Sequence, residues 1–264
     1  MRRSVSILAL AALCAALSTP AVSAQPAQPA PTAPALAAPS LDAIVAKNIQ
    51  AKGGEAKLKA VQSMRMAGKV TIQGMDLSML ITTKRPNMMR QEMQFQDKKI
   101  VQGFDGTTAW MINPLMGSET PQEMTGPQAD LAKDQADFDG PLLDWKGKGH
   151  TLEYVGTEEV GGAKAHRLKL TKKNGQVQYL FLDADSGIDL KTTVQVPQGA
   201  STMTVETEMS DYRPVEGIMM PHALKTSING MPTGSIVVEK IELNVPIDEA
   251  QFKMPAAPKP AAKL

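Results

Sequence analysis

Met64-Arg65-Met66-Ala67-Gly68-Lys69-Val70-Thr71-Ile72, then Gln73-Gly74, then Met75-Asp76-Leu77-Ser78-Met79-Leu80-Ile81 is the stretch that sets the fold class. Met64, Met66, Val70 and Ile72 alternate with Arg65, Lys69, Thr71 and Gln73, which gives a strand one dry face and one wet face. After a turn at Gly74 the alternation returns in Met75, Leu77, Met79 and Ile81. Met89, Met93 and Phe95 repeat it against Arg90, Glu92, Gln94 and Gln96. Ile100 to Phe104 and Thr107 to Asn113 then flank Asp105-Gly106, a strong hairpin signal because both residues tolerate positive φ.

Working outward, Ser40 is placed to cap a helix carrying Leu41, Ile44, Val45 and Ile49 on one side, and Gly53-Gly54 ends it. A shorter helical piece spans Glu55 to Val61. Downstream, Thr125-Gly126-Pro127 opens a helix that the pattern carries to about Phe138, with Leu131 and Phe138 on one side. Gly140-Pro141 breaks it, and Leu142-Leu143-Asp144-Trp145 adds a short apolar turn. Strands resume at Leu152, punctuated by Gly161-Gly162, Asn174-Gly175, Asp185-Ser186-Gly187, Pro197-Gln198-Gly199, Glu216-Gly217 and Asn229-Gly230, the spacing of an antiparallel meander. The expected class is α+β: a curved antiparallel sheet of about ten strands with helices on its concave face. A sheet of that size must curl or close, so the helices either fill its hollow or enclose a cavity.

Composition narrows the function. The chain has 264 residues, 28 Lys+Arg and 27 Asp+Glu, and lacks the concentrated basic face of a nucleic-acid binder. Its N-terminus reads as an export signal: Met1-Arg2-Arg3, an apolar run from Val5 to Leu17, and Ala21-Val22-Ser23-Ala24 before a cleavage site after Ala24. Leu13 precedes Cys14 where a lipidation signal needs a small residue. Loss of residues 1–24 removes two arginines and no acid, so the balance becomes 26 − 27 = −1, and it removes the single cysteine. The exported protein then has no disulfide and no thiolate, which fits a periplasmic location. Residues 25–39, rich in Pro and Ala, read as a disordered linker, and 256–264 as a disordered tail. The folded domain is expected over 40–255.

Lys84-Arg85-Pro86-Asn87, followed by Gly103-Phe104-Asp105-Gly106-Thr107-Thr108-Ala109-Trp110 and Asn113-Pro114, resembles the LolA-like outer-membrane lipoprotein carrier and lipoprotein-sorting family. The ending Asp248-Glu249-Ala250-Gln251-Phe252-Lys253-Met254-Pro255 is similar to that family's closing motif. The resemblance implies an incomplete antiparallel β-barrel with helices over the concave face, enclosing a hydrophobic cavity that shelters acyl chains. It also implies that Arg85 reaches the lid and helps to hold it shut. The partners it implies are lipoprotein acyl chains or lipid, an inner-membrane donor, an outer-membrane acceptor and transient membrane contact, for a monomeric chain. A periplasmic sensor or interaction domain on the same fold is the alternative.

Methionine supports the cavity on its own chemistry. Met64, Met66, Met75, Met79, Met88, Met89 and Met93 crowd about thirty residues, and flexible, polarizable thioethers suit a wall that must fit variable ligands. The residues expected to line the cavity are Met66, Ile72, Met79, Ile81, Met93, Phe95 and Trp110 on the sheet, with Leu131, Phe138, Leu142 and Trp145 on the lid. No metal and no cofactor is expected. The methionines stand without nearby His or Cys, and Asp183-x-Asp185-x-Gly187 lacks the twelfth-position Glu of a calcium loop, with Val194 in its place. His150, His166 and His222 share no ligand or triad spacing, so no enzyme is expected.

Overall fold

The computed structural model describes residues 39–198 and 201–256. The expected leader, nearly all of the linker and nearly all of the tail lie outside the described residues. Helix α1 (Leu41–Ala51) starts as its sequence dictates: Ser40 is extended and its hydroxyl accepts the Ala43 N–H at 3.3 Å. Helix α2 (Glu55–Ala60) follows after Gly53-Gly54.

The sheet has thirteen strands rather than about ten. β1 (Ser63–Ile72), β2 (Met75–Lys84), β3 (Met88–Phe95), β4 (Lys98–Phe104), β5 (Ala109–Asn113) and β6 (Ser118–Glu123) form one meander. β7 (Thr151–Val160), β8 (Ala163–Thr171), β9 (Val177–Asp183), β10 (Asp189–Gln198), β11 (Ser201–Val215), β12 (Ile218–Ile228) and β13 (Met231–Leu243) form the second. β1 pairs with β13, so the meanders join into one curved antiparallel sheet that stays open between β6 and β7. β6 escapes sequence reading because Ser118-Glu119-Thr120-Pro121-Gln122-Glu123 has no dry parity. Its Pro121 is tolerated because an edge strand has one unpaired side.

Residues directly opposite in the register share a face. Met66 pairs with Ile81, Met79 with Met93, and Met89 with Phe104. That face also carries Leu168 opposite Leu180, and against it α1 packs Ile44 and Val45. It is the inner face. Asn48 fastens α1 by donating from Nδ2 to the Gly187 carbonyl at 2.8 Å.

The outer face of the first meander is covered by the C-terminal segment. Ser63 donates to the Val245 carbonyl at 2.6 Å, Lys84 to that of Ile247 at 3.3 Å, and Arg90 to that of Gln251 at 3.0 Å. The strap ends in a 3-10 turn, Glu249–Phe252, that buries Phe252 completely.

Candidate functional site

Residues 124–150 connect the two free edges of the sheet. The connection is helical only in α3 (Pro127–Gln135), shorter than the pattern predicts, and continues as turns through Phe138 to Gly149. It touches three apolar clusters in turn. Ala132 and Ala136 pack on Met89, Phe104 and Ala109. Phe138 joins Leu58, Val61, Met64, Ile218 and Leu243. Leu142 and Trp145 join the cluster of Ile44, Val45, Leu168 and Leu180. One segment therefore lies over the inner face from edge to edge, as a lid does.

Arg85 fixes the middle of this segment. Its Nε donates to the Val61 carbonyl at 2.6 Å and its Nη2 to that of Leu58 at 3.1 Å, capping the C-terminal end of α2. Its Nη1 donates to Asp139 Oδ2 at 2.9 Å, and Nη2 also pairs with Asp139 Oδ1. The guanidinium lies 4.8 Å from the Phe138 ring centre. Such a fork meets carbonyls and a carboxylate together, which a lysine could not. Hydrogen bonds from Arg85 hold the Asp139 carboxyl below the usual range, outweighing the opposing effect of burial.

Three cavities lie under the lid. The largest, about 400 Å³, sits between the lid and β9–β11 and is lined by Leu131, Pro141, Val194, Val196, Met203 and Val205, with Asp134, His150, Lys172 and Gln176 among its polar residues. A second, about 300 Å³, runs from α1 and α2 under residues 137–143 to Met209 and Met219. A third of about 90 Å³ lies beneath Phe138, against Met64, Ile218 and Leu243. Burial, then the cations of Lys148 and Lys172, pushes the His150 imidazole below its ordinary proton affinity. The Lys173 N–H at 3.3 Å from His150 Nδ1 requires that nitrogen to be an acceptor.

The residues expected from sequence divide by place. Met66, Ile72, Met79, Ile81, Met93 and Phe95 lie on the inner face, on β1–β3, with Met79 buried and Ile72 exposed at the strand end. None of them lines the three cavities, which fall mostly over the second meander. Leu131 is 44% exposed at the edge of the largest of these cavities, Phe138 lines the other two, and Leu142, a buried residue of the lid itself, lines the second.

Trp110 corrects its expected place. It pairs with Gly103 on the outer face, where a Cβ on Gly103 would come within 2.3 Å of the indole. Its Nε1 donates to the Phe252 carbonyl at 2.7 Å, so it is walled in by the C-terminal strap rather than by a lid. Parity distinguishes the two faces, and Trp110 has the opposite parity to Ala109, which packs under α3.

Val194, Val196, Met203 and Val205 were not singled out from sequence. Their signal was present, as apolar residues alternating with Thr193, Gln195 and Thr204 on two adjacent strands.

Among the described residues no group of three His, Cys, Asp or Glu side chains converges as a metal site would, and no helix is long and apolar enough to cross a membrane. No family model matches the chain, and no curated protein does. Solved structures do. A DUF1329 family protein from Desulfovibrio piger is 12% identical, with 80% of this chain and 96% of that one covered at a TM-score of 0.56. A putative outer membrane lipoprotein-sorting protein domain from Vibrio parahaemolyticus is 10% identical, covering 79% and 94% at 0.55. A LolA superfamily protein from Nitrosomonas europaea is 12% identical, covering 82% and 98% at 0.55. The chain has the LolA-like fold.

Proposed function

We propose that this protein is an exported, periplasmic carrier that shelters acyl chains of lipoproteins or lipids under the 124–150 lid and hands them toward the outer membrane. The observation that carries the reading is an apolar cavity of about 400 Å³ beneath a segment that bridges both free edges of an open sheet. A sheet whose edges are joined only by a lid can widen by moving that lid without unpairing a strand. The solved structures of lipoprotein-sorting and LolA superfamily proteins share the architecture, which supports the reading at the level of fold.

The energetics set the mechanism. Burying a methylene is worth about 0.8 kcal/mol, so a chain of about sixteen carbons leaves water with a gain on the order of 10 kcal/mol. Release into solvent is correspondingly slow. A carrier must pass its cargo between apolar sites, from an inner-membrane donor to an outer-membrane acceptor. Arg85 then serves as the latch: it gives up Asp139 when the lid moves and keeps α2 in place through the Leu58 and Val61 carbonyls. Met66, Met79, Ile81 and Met93 extend the apolar wall that is offered once the lid has lifted. No step requires a covalent intermediate or a cofactor.

Native mass spectrometry of the protein purified from an envelope, followed by addition of lipid and of lipopeptide, tests the reading. A bound mass of one or more acyl species is expected. A clean apo mass with no uptake of either addition sinks it.

A further inference from the structure

Resting on that reading and going beyond it, we infer that the cavity between α3 and β9–β11 receives a single acyl chain whose head is uncharged and hydrogen-bonding, such as an acylamide or a monoacylglycerol, and that it rejects phosphate heads. The floor is aliphatic, formed by Val194, Val196, Met203 and Val205. Its volume of about 400 Å³ is at the low end for small-ligand sites, room for one chain rather than several.

The polar side of the cavity decides the head. Lys172 is the cation lining it, and its Nζ lies 2.8 Å from Asp134 Oδ2, with the two side chains only 14% and 20% exposed. Lys148, the next cation, is held by Asp137 Oδ2 and by the Gly140 carbonyl, each at 2.6 Å. His150 accepts the Lys173 N–H at Nδ1 and is neutral in that arrangement. The charged side chains that line the cavity are therefore paired, Lys172 with Asp134 as an ion contact and Asp137 with Lys148. A phosphate reaching Lys172 must either share it beside the like-charged Asp134 carboxylate or break a largely buried ion pair, and both are costly.

A neutral head meets the opposite situation. Gln176 lines the same cavity, and its Oε1 is buried with no hydrogen-bond partner. A dry acceptor left unpaired is costly, and a head-group N–H or O–H entering the cavity removes that cost. An amide or glycerol head carries donors and acceptors together, so it satisfies the Gln176 side chain whichever way its amide is turned.

The test compares three probes with one decanoyl chain: decanoyl ethanolamide, monodecanoylglycerol and the corresponding lysophosphatidic acid, each titrated calorimetrically into the full chain. The neutral probes are expected to bind at least about tenfold tighter than the phosphate. Asp134→Asn, which frees Lys172, is expected to tighten the phosphate probe by about tenfold while moving the neutral ones by less than about threefold. Gln176→Leu is expected to weaken both neutral probes about fivefold. Should Asp134→Asn not fold, the double change Asp134→Asn with Lys172→Gln keeps the site neutral and must retain the original preference. A phosphate probe that binds as tightly as the neutral ones overturns the head-group inference and leaves the carrier reading standing. Binding of none of the three, even to the parent chain, removes both.

Discussion

The first meander is covered on both faces, and the two covers are built on different principles. On the outer face the C-terminal strap seats Phe252 beside Trp110, both 0% exposed, and fastens itself through carbonyls accepting from Ser63, Lys84, Arg90 and Trp110. On the inner face the lid rests on alanines, on Phe138 and on an ion pair, and where it crosses to the second meander it covers cavities of about 400, 300 and 90 Å³. Interiors that serve stability alone are packed without such voids. The strap spends its contacts on holding the sheet, whereas the lid leaves apolar surface under-filled and is fastened at Arg85, the latch of the proposed carrier. Strand parity alone thus assigns each cover to its own face of the sheet.

The sharpest way to break the contrast is to empty the strap. Phe252→Ala removes a fully buried ring beside Trp110, and a loss of about 3–5 kcal/mol in unfolding free energy is expected. Urea unfolding monitored by fluorescence measures it. A loss below about 1 kcal/mol, the centre of the distribution for point mutants, would show that the strap is no tighter than the lid.

Arg85→Leu comes next in size. It deletes the donors to Leu58, Val61 and Asp139 while keeping bulk against Phe138. Stripping a donor from part-buried acceptors costs about 1–3 kcal/mol, so the domain should still fold. Lid motion and lipid transfer should change far more than stability does. Transfer at the parent rate would remove the latch role from Arg85.

How much of this was legible in the sequence follows from the same parity. The alternation of Met64, Met66, Val70 and Ile72 with Arg65, Lys69 and Thr71 announces the sheet, whereas the helix that the pattern carries to about Phe138 ends at Gln135. Ser118 to Glu123 carry no such signal, because β6 buries no residue on either face and so needs no dry parity. The candidate site was read less well than the fold. Methionine density pointed to β1–β3, yet the lid crosses toward β9–β11, and no local pattern encodes where a loop lands. Trp110 is expected on the cavity wall, but its parity, opposite to that of Ala109, assigns it to the strap.

Acidification separates the two covers by charge. Folding lowers the His150 pKa, through burial and then Lys148 and Lys172, with Asp137 and Asp134 opposing. A group with a depressed folded pKa contributes stability that is complete above its unfolded value and is lost as pH falls through the folded one. The lid should therefore loosen as pH drops below about 6.5, and again below about 3.9 as Asp139 protonates and releases Arg85. The two tryptophans report separately, since Trp145 belongs to the lid and packs on the α1 cluster whereas Trp110 lies under the strap. Between pH 8 and pH 5.5, acrylamide quenching of Trp145 is expected to rise while that of Trp110 stays constant, with Trp145→Phe supplying the Trp110 signal alone. Equal changes at both indoles would mean that acid loosens the whole domain rather than its lid.

The smallest effect on stability belongs to Leu131, and it carries the functional half of the contrast. Its side chain is 44% exposed on α3, at the edge of the largest cavity under the lid. Leu131→Gln removes little buried area and keeps helix propensity, so the unfolding free energy should stay within about 0.5 kcal/mol of the parent. An acyl chain entering beneath α3 would cover that residue, and burying a leucine is worth about 1.5–3 kcal/mol. Even half of the lower figure is about a threefold change in affinity. Titration of a decanoyl probe into the variant should therefore show weakened binding at unchanged stability. A variant that binds as the parent does would place the chain elsewhere on the inner face, along Met66, Met79, Ile81 and Met93, and return the site to the methionine-rich strands.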